Sequence, residues 1–201
     1  MALRYVALGD SYTIGTSVAG SDRWPDQLVA ALADGQPRLH LVANLGRNGW
    51  TSADVIRGQL PRLGRLAPEF ATLLIGVNDV VQHVPPQTYR VNLARILDDL
   101  VSRLPRHRIL AVTTPDYTVT PAGATYGDPD VQRAGIERVN SILADETAAR
   151  GLTLVDILDI SARAALDRSL VASDGLHPSG AQYALWAARM APVAAAMLAS
   201  A

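Results

Sequence analysis

Residues 6–15 read VALGDSYTIG, and the fold and the chemistry of the chain both turn on this stretch. An apolar run typical of a strand buried on both faces passes directly into Gly9-Asp10-Ser11. Such a tripeptide is either an ordinary polar turn that ends a strand or a sharp turn that presents the Ser11 hydroxyl to a reactant. The rest of the sequence has to decide between these two interpretations.

Short apolar runs like the first one recur along the chain, separated by longer helical patterns. They predict strands at residues 3–9, 39–46, 70–77, 108–114 and 152–157. The clearest amphipathic stretch between them is 88–104, where apolar residues recur at near-helical spacing. Alternating strands and helices imply a mainly parallel sheet with helices on both faces. We therefore expect an α/β fold, a three-layer α/β/α sandwich with a central sheet of about five strands.

Local signals place several boundaries. Pro25 suits the first turn of a helix, and two pairs stand at capping-box spacing: Thr51 with Asp54, and Ser179 with Gln182, the second pair starting the last helix. Residues 116–130 are too rich in Pro, Gly, Asp and Thr for a continuous helix or inner strand. This segment is expected to form a surface loop after the fourth strand.

Composition bounds the class of protein. The 201 residues are 49% hydrophobic and 18% charged, which is typical of one globular domain, here residues 1–201. A net charge of −1 offers no footprint for nucleic acid, so no nucleic-acid partner is expected. All 18 basic residues are Arg, which excludes a Schiff-base lysine, a P-loop lysine and a Ser-Lys dyad. The absence of Cys excludes thiol nucleophiles, thiolate zinc sites and iron–sulfur clusters.

Neither a metal nor a membrane is indicated. His40, His83 and His107 lack partners at ligand spacing, so no metal and no cofactor is expected. No apolar run approaches the ~20 residues of a membrane span, because polar residues and a proline interrupt the Ala-rich segment 181–201. No leader-like segment precedes the first strand. We expect a cytoplasmic protein without integral membrane association, and the oligomeric state stays open.

Polar residues follow the predicted strands. Ligands of an open parallel sheet bind outside the carboxyl ends of its strands. The segments found there are Asp10-Ser11, NLGRNGWTS at 44–52, Asn78-Asp79, Thr114-Pro115-Asp116 and, beyond the fifth strand, SDGLHPSG at 173–180. Each of these segments alone is common in ordinary turns and loops. Together they supply a hydroxyl, an imidazole with a nearby carboxylate, a glycine amide and an asparagine amide, the inventory that acyl transfer to serine requires.

The roles follow from the chemistry. A serine hydroxyl is a poor nucleophile near neutral pH, so Ser11 needs a base, and His177 is the candidate. Asp174, three residues earlier, can fix the imidazole tautomer and stabilise the imidazolium. Donors for the developing oxyanion are the backbone amides of Ser11 and Gly49 and the side-chain amide of Asn78, each worth about 3 to 4 kcal/mol when removed singly.

Four blocks, GDSYTIG, NLGRNGWTS, GVND and DGLHP, span residues 9–178 and resemble those of the SGNH hydrolases, a subgroup of the GDSL-type esterases and lipases. The resemblance implies a flavodoxin-like fold and ester hydrolysis through an acyl-enzyme. It implies Ser11 as nucleophile, His177 as general base and Asp174 as its orienter, with an oxyanion hole of Ser11, Gly49 and Asn78. Gly49 is preferred over Gly46 because the family's glycine stands two residues before a threonine, as Gly49 does before Thr51.

The substrate is a small-molecule ester on this interpretation. Tyr12, Trp50, Tyr117 and Tyr126 are the candidates for lining the substrate pocket, and they favour short acyl groups. Trp50 stands where the family often has a small or acidic residue, so a bulky indole is expected to narrow the acyl site. The choice among an ester, a thioester, a lysophospholipid and a sugar acetate stays open.

Three other interpretations compete. An α/β-hydrolase would place its serine in a G-x-S-x-G elbow near the middle of the sequence, which Gly9-Asp10-Ser11-Tyr12-Thr13 does not match. A carboxyl pair for glycoside hydrolysis could come from Asp79 and Asp116 if both face the cleft. A flavodoxin-like binding module without chemistry would have no use for the couple of Asp174 and His177. Asp10, between a glycine and a serine, is expected to organise the turn by accepting from nearby amides.

Overall fold

A five-stranded, all-parallel sheet forms the centre of the computed structural model, which describes residues 2–35 and 37–199. Its strands are β1 (Ala2–Gly9), β2 (Arg38–Asn44), β3 (Phe70–Leu74), β4 (Ile109–Val112) and β5 (Thr153–Val155). They lie in the order β2-β1-β3-β4-β5, and every neighbouring pair is parallel. This is the flavodoxin-like order, with its switch point between β1 and β3. The predicted fold class and all five predicted strands are confirmed.

Helices connect the strands and cover both faces of the sheet. They are α1 (Ser11–Ile14), α2 (Trp24–Ala31), α3 (Ser52–Asp54), α4 (Leu60–Leu66), α5 (Val77–Val81), α6 (Pro86–Arg103), α7 (Pro129–Ala149), α8 (Leu158–Ala162) and α9 (Gly180–Ala199). A π-helical turn, Val55–Gln59, joins α3 to α4. The predicted helix at 88–104 is α6, which begins two residues earlier at a proline, a favoured first helical residue.

The sandwich follows from the alternation of side chains along β1. Tyr5 and Ala7 belong to one apolar core with residues of α2 and α9. Val6 and Leu8 belong to a second core with residues of α4 and α6. All four side chains are fully buried, because β1 is an inner strand with helices packed on either side of it.

Only one of the two expected capping boxes is complete. Thr51 and Asp54 bond reciprocally at the start of α3. At the start of α9 the Gln182 N–H donates to Ser179 Oγ at 3.4 Å, but the Gln182 side chain donates to the Leu170 carbonyl at 3.0 Å instead of returning to Ser179. The long-range partner replaces the local one. It fastens α9 to the segment that leads into the loop with Asp174.

The segment 116–130 differs in part from the surface loop that its composition predicts. It contains a 3-10 turn, Gly123–Tyr126, and its last two residues already belong to α7. Its first residues are buried: Tyr117 packs edge-on against Tyr126 and donates to Gln132 at 2.5 Å. Aromatic packing therefore holds this part of the segment inside the protein.

Within the described residues, no helix combines the length and the apolar character that crossing a membrane would require.

Candidate active site

Ser11 is the first residue of α1, immediately after β1. Asp10 Oδ1 accepts from the Tyr12 N–H at 2.9 Å and so caps this short helix. Gly9 has φ +155°, and a Cβ there would lie 2.2 Å from Thr13 Oγ1 and 2.3 Å from the Leu74 carbonyl oxygen. Only glycine fits such a turn. The turn that follows the strand is therefore sharp, and it leaves the Ser11 backbone N–H at the open start of a helix.

Gln59, which belongs to no sequence motif, holds the same turn through hydrogen bonds to its backbone. Gln59, fully buried in the π-helical turn, accepts from the Gly9 N–H at 3.0 Å and donates to the Gly9 carbonyl at 2.7 Å. Gly46 packs against the turn from the side, since a Cβ there would lie 2.5 Å from the Ile14 nitrogen. The backbone before Ser11 is thus fixed on two sides by the interior of the protein.

Asp10 is completely buried beneath Ser11. Burial raises its pKa to about 8, and the nearby Asp79 acts in the same direction while the Tyr12 N–H lowers it. The expected bond from a nearby amide is observed. The Asn78 side-chain amide approaches the other Asp10 oxygen at 3.5 Å. Asp10 therefore organises the turn, with its carboxyl turned into the protein.

The Asp174–His177 loop presents an imidazole held by a carboxylate. His177 Nδ1 lies 2.6 Å from Asp174 Oδ2, and the Leu176 and His177 N–H groups donate to Asp174 Oδ1 at 2.9 Å each. The loop is closed by a bond of 2.7 Å from the Ala172 N–H to the His177 carbonyl. Because Nδ1 faces the carboxylate, Nε2 is the ring nitrogen left for a reactant.

Electrostatics keep Asp174 ionised. Partial burial alone would raise its pKa, but hydrogen bonds from the Leu176 N–H, the His177 ring, the Ser17 hydroxyl and the His177 N–H outweigh it. The pKa of Asp174 therefore lies well below its usual range. An anionic carboxylate at this position stabilises a protonated imidazole.

Loops from distant parts of the chain enclose one pocket of about 250 Å³. Its lining comprises Ser11, Tyr12, Asn48, Gly49, Val77, Asn78, Val81, Tyr117, Tyr126, Leu176 and His177. Ser11 follows β1, Gly49 follows β2 and Asn78 lies in α5 after β3, so the carboxyl ends of neighbouring strands meet here as the topology requires. Ser11 and His177 face the same pocket, and the sheet does not stand between them.

The two glycines of the second block are placed differently. Gly49 lines the pocket with φ +76°, and a Cβ on it would meet nothing within 4 Å. Gly46 is buried, and its N–H already donates to Asn44 Oδ1 at 3.1 Å. Asn78 donates to the Trp50 carbonyl at 3.0 Å, which orients its amide at the pocket wall. These positions favour Gly49 over Gly46 as an oxyanion donor.

Trp50 is not part of the pocket lining, contrary to the expectation from sequence. Its indole lies against Gly58, where a Cβ would be 2.3 Å from the ring, and Arg47 sits over the ring at 5.3 Å from its centroid. A glycine in the π-helical turn leaves the slot that the indole fills. Only the Trp50 carbonyl serves the site, through Asn78.

Asp79 and Asp116 do not face the pocket either. Asp79 is buried and accepts from the Ser52 N–H at 2.9 Å and the Ser52 hydroxyl at 2.5 Å. Asp116 accepts from the N–H and hydroxyl of Thr118 and pairs with Arg133 at 3.3 Å. Burial raises the pKa of Asp79. The carboxyl pair considered for glycoside hydrolysis is therefore not assembled at the pocket.

Aromatic side chains form much of the pocket wall. Tyr12 packs on the His177 ring with centroids 5.1 Å apart, and Tyr117 and Tyr126 form an edge-to-face pair at 5.8 Å. Sequence reasoning missed four lining residues: Asn48, Val77 and Leu176, which lie inside the quoted sequence blocks, and Val81 in α5. Across residues 2–35 and 37–199, no group of three or more His, Asp or Glu side chains could hold a metal ion.

The parallel five-stranded sheet and the pocket at its carboxyl edge place the chain in the flavodoxin-like class of α/β proteins. A model of the GDSL-like lipase/acylhydrolase family matches residues 7–185, and the chain belongs to that family. The resemblance drawn from the four sequence blocks is thereby confirmed. A comparison with curated protein sequences found no significant match.

Solved structures share the fold. A lipase/acylhydrolase from Enterococcus faecalis is similar, with a TM-score of 0.75 and 21% identity, covering 98% of this chain and 96% of that one. LAE5, an α/β hydrolase enzyme from the metagenome of Lake Arreo, Spain, has a TM-score of 0.75 and 22% identity, with 98% of each chain covered. Axe2, an acetylxylan esterase from Geobacillus stearothermophilus, has a TM-score of 0.75 and 16% identity, covering 96% of this chain and 94% of that one.

Proposed function

We propose that this protein is a serine esterase that hydrolyses carboxylic esters of small or short-chain acyl groups through an acyl-enzyme. One observation carries the proposal. Ser11 and His177 line one pocket, and the His177 ring is held by Asp174 at 2.6 Å through the nitrogen that does not face the reactant. The pocket therefore holds a nucleophile and a base, and the base contacts an orienting carboxylate, which are the groups that serine hydrolysis needs.

The reaction proceeds in two halves. The Ser11 oxygen attacks the ester carbonyl carbon while its proton passes to His177 Nε2, and the imidazolium is stabilised by Asp174. The tetrahedral intermediate expels the alcohol, which takes the proton from His177. Water then attacks the acyl-enzyme with the same base and releases the carboxylic acid and free Ser11.

Charge on the carbonyl oxygen is met by three donors. They are the N–H groups of Ser11 and Gly49 and the amide of Asn78, all of which line the pocket. Removing one such donor costs about 3 to 4 kcal/mol of transition-state stabilisation. The open space around Gly49 lets the reacting carbonyl approach its backbone.

The size and lining of the pocket support a short acyl group. About 250 Å³ lies below the ~300–1,000 Å³ usual for sites that hold drug-sized ligands. Val77, Val81 and Leu176 give it an apolar side, while Tyr117 and Tyr126 close another. A sugar acetate fits the same chemistry. Axe2, one of the similar structures, is an acetylxylan esterase, and solved catalytic mutants of Axe2 replace a serine and an aspartate by alanine.

The test compares p-nitrophenyl esters from acetate to decanoate, with an acetylated xylo-oligosaccharide as a second substrate. We expect kcat/KM to fall at least about tenfold from acetyl to decanoyl; a fall of less than about twofold would contradict the short-acyl assignment. Ser11→Ala and His177→Ala should each lower kcat by about 10³-fold or more. Ser141→Ala and His40→Ala, both at exposed positions away from the pocket, are the matched controls. Undiminished turnover by Ser11→Ala would contradict the serine-esterase mechanism, whereas no turnover of any ester by the wild type would favour a non-catalytic binding module.

A further inference from the structure

Ser17 has a backbone conformation that its place in the chain does not explain. It has φ +66°, in the left-handed region that costs a non-glycine residue roughly 1 kcal/mol or more. Two other non-glycine residues in the described part of the chain share this property, Ala67 and His83. Both stand just after helices, α4 and α5, where a left-handed residue is usual. The helix before Ser17, α1, already ends on left-handed Gly15.

The strained residue makes a specific contact. Its hydroxyl donates to Asp174 Oδ2 at 2.7 Å, across 157 positions of sequence. The same oxygen lies 2.6 Å from His177 Nδ1. Ser17 is exposed, so burial of its own side chain in the core cannot be the reason for its conformation. The neighbouring Thr16 hydroxyl donates to Asn48 Oδ1 at 2.6 Å, so this one turn ties the Asp174–His177 loop and the Gly49 loop to the nucleophile helix.

We propose that Ser17 is a positioning residue of the active site, which acts on the His177–Asp174 pair that faces Ser11 across the pocket. It orients the Asp174 carboxylate and shares Oδ2 with the imidazole, which sets how strongly Asp174 holds the protonated His177. The inference rests on the proposed function, because it assigns a role to the same base and carboxylate.

The contacts of Asp174 show what the Ser17 hydroxyl adds. Oδ1 is fixed by two backbone N–H groups, whereas Oδ2 receives one bond from the Ser17 hydroxyl and one from the His177 ring. Without Ser17, Oδ2 has a single protein donor. The carboxylate then becomes more basic and interacts more strongly with the imidazolium.

Other titratable groups surround this couple. They are Tyr12, Tyr117 and Tyr126 at the pocket, and Asp10 and Tyr183, which interact electrostatically with Tyr12 or Asp174. Burial raises the pKa of Tyr12, Tyr117 and Tyr183, so these phenols stay neutral through the range in which imidazole titrates. Asp10, with its pKa raised to about 8 mainly by burial, is common to the wild type and to every variant. A difference between their profiles therefore isolates Ser17.

Two substitutions separate catalysis from folding. Ser17→Gly removes the hydroxyl and relieves the left-handed strain, so it should keep the melting temperature roughly unchanged. It should lower kcat about tenfold with little change in KM, and move the acid limb of the kcat/KM profile to higher pH by about half a unit. Ser17→Thr keeps a hydroxyl on the same carbon but adds a methyl group where φ is positive. It should lower the melting temperature while keeping the wild-type pH profile.

The control for Ser17→Gly is a substitution of a nearby serine. Ser21→Ala, on the same segment and bonded only weakly to Asp22 at 3.4 Å, should leave kcat and the profile unchanged. A Ser17→Gly enzyme with wild-type kcat and acid limb overturns the role of Ser17, even if Ser11→Ala and His177→Ala are inactive. If those two variants stay active, it is the proposed function that fails.

Discussion

The two halves of the proposed site are held in different ways. The Gly9–Ser11 turn is fixed from inside: Gln59 bonds both backbone groups of Gly9, and Asp10 is fully buried. The Asp174–His177 loop lies beyond the sheet and is fixed at the surface by hydrogen bonds, including the one from Ser17. The position of the proposed nucleophile therefore depends on the core, and that of the proposed base depends on a polar network.

This difference separates stability from activity. Substitutions at the core-held turn disturb close packing and leave buried backbone groups unpaired, so they act on the free energy of unfolding. Substitutions in the surface-held loop remove little buried area, so they act on the reaction. Measuring both the free energy of unfolding and kcat for a variant therefore shows whether it affects the Gly9–Ser11 turn or the Asp174–His177 loop.

The largest expected effect is on activity, from Asp174→Asn. The amide keeps the shape of the side chain but loses the charge that selects the His177 tautomer, so kcat should fall about 10³ to 10⁴-fold. The free energy of unfolding should fall by no more than about 1 to 2 kcal/mol, because the hydrogen bonds of the Asp174 carboxylate lie near the surface, where solvent screens them. Steady-state kinetics and urea denaturation of the same sample check both halves. A destabilised but fully active enzyme would reverse the comparison.

Next in size is Gly9→Ala, which should act on folding. A Cβ at Gly9 would lie 2.2 Å from Thr13 Oγ1 and 2.3 Å from a backbone oxygen, with φ at +155°. We expect a loss of about 4 kcal/mol or more in the free energy of unfolding, or no folded protein. Gly64→Ala is the matched control, since the nearest atom to its Cβ is an Arg103 nitrogen at 4.0 Å, and it should not destabilise. Equal stability of the two variants would show that the turn is not fixed by the core.

The smallest effect is a pH dependence from Asp10. Burial raises its folded pKa to about 8 from 3.8, so between these pH values the folded protein keeps a proton that the unfolded chain has lost. Stability from this group therefore falls as pH rises, by at most about 1.4 kcal/mol per pH unit. Asp10→Asn should flatten the decline between pH 5 and 7 in urea denaturation. A variant that follows the wild-type slope would mean that Asp10 is ionised in the fold.

Sequence and structure agree where the topology dictates the outcome. The apolar runs that end in Ser11 and Asn78 predict strands, and parallel strands bring their carboxyl ends to one edge. The three-residue spacing of Asp174 and His177 likewise lets one loop form their contact. These local signals were enough to predict the fold, and the structure places Ser11, Asn78 and His177 at one pocket.

The remaining features depend on tertiary contacts that no sequence motif marks. Trp50 turns away from the pocket because Gly58, in another element, leaves room for its indole. Gln59 and Ser17 reach partners 50 and 157 positions away and carry no motif of their own. A single sequence shows the residue types at such positions but not which surfaces meet. The positions of these side chains are determined only by the packing of the helices against the sheet.

Covalent labelling with a fluorophosphonate tests the central claim most directly. The reagent reacts with an activated serine and mimics the tetrahedral intermediate, so intact mass and peptide mapping report which hydroxyl is the nucleophile. We expect one adduct per protein molecule, on Ser11, and none on Ser11→Ala or His177→Ala. An adduct on a different serine, or unchanged labelling of Ser11 in His177→Ala, would contradict the assembly of these two residues into one catalytic unit.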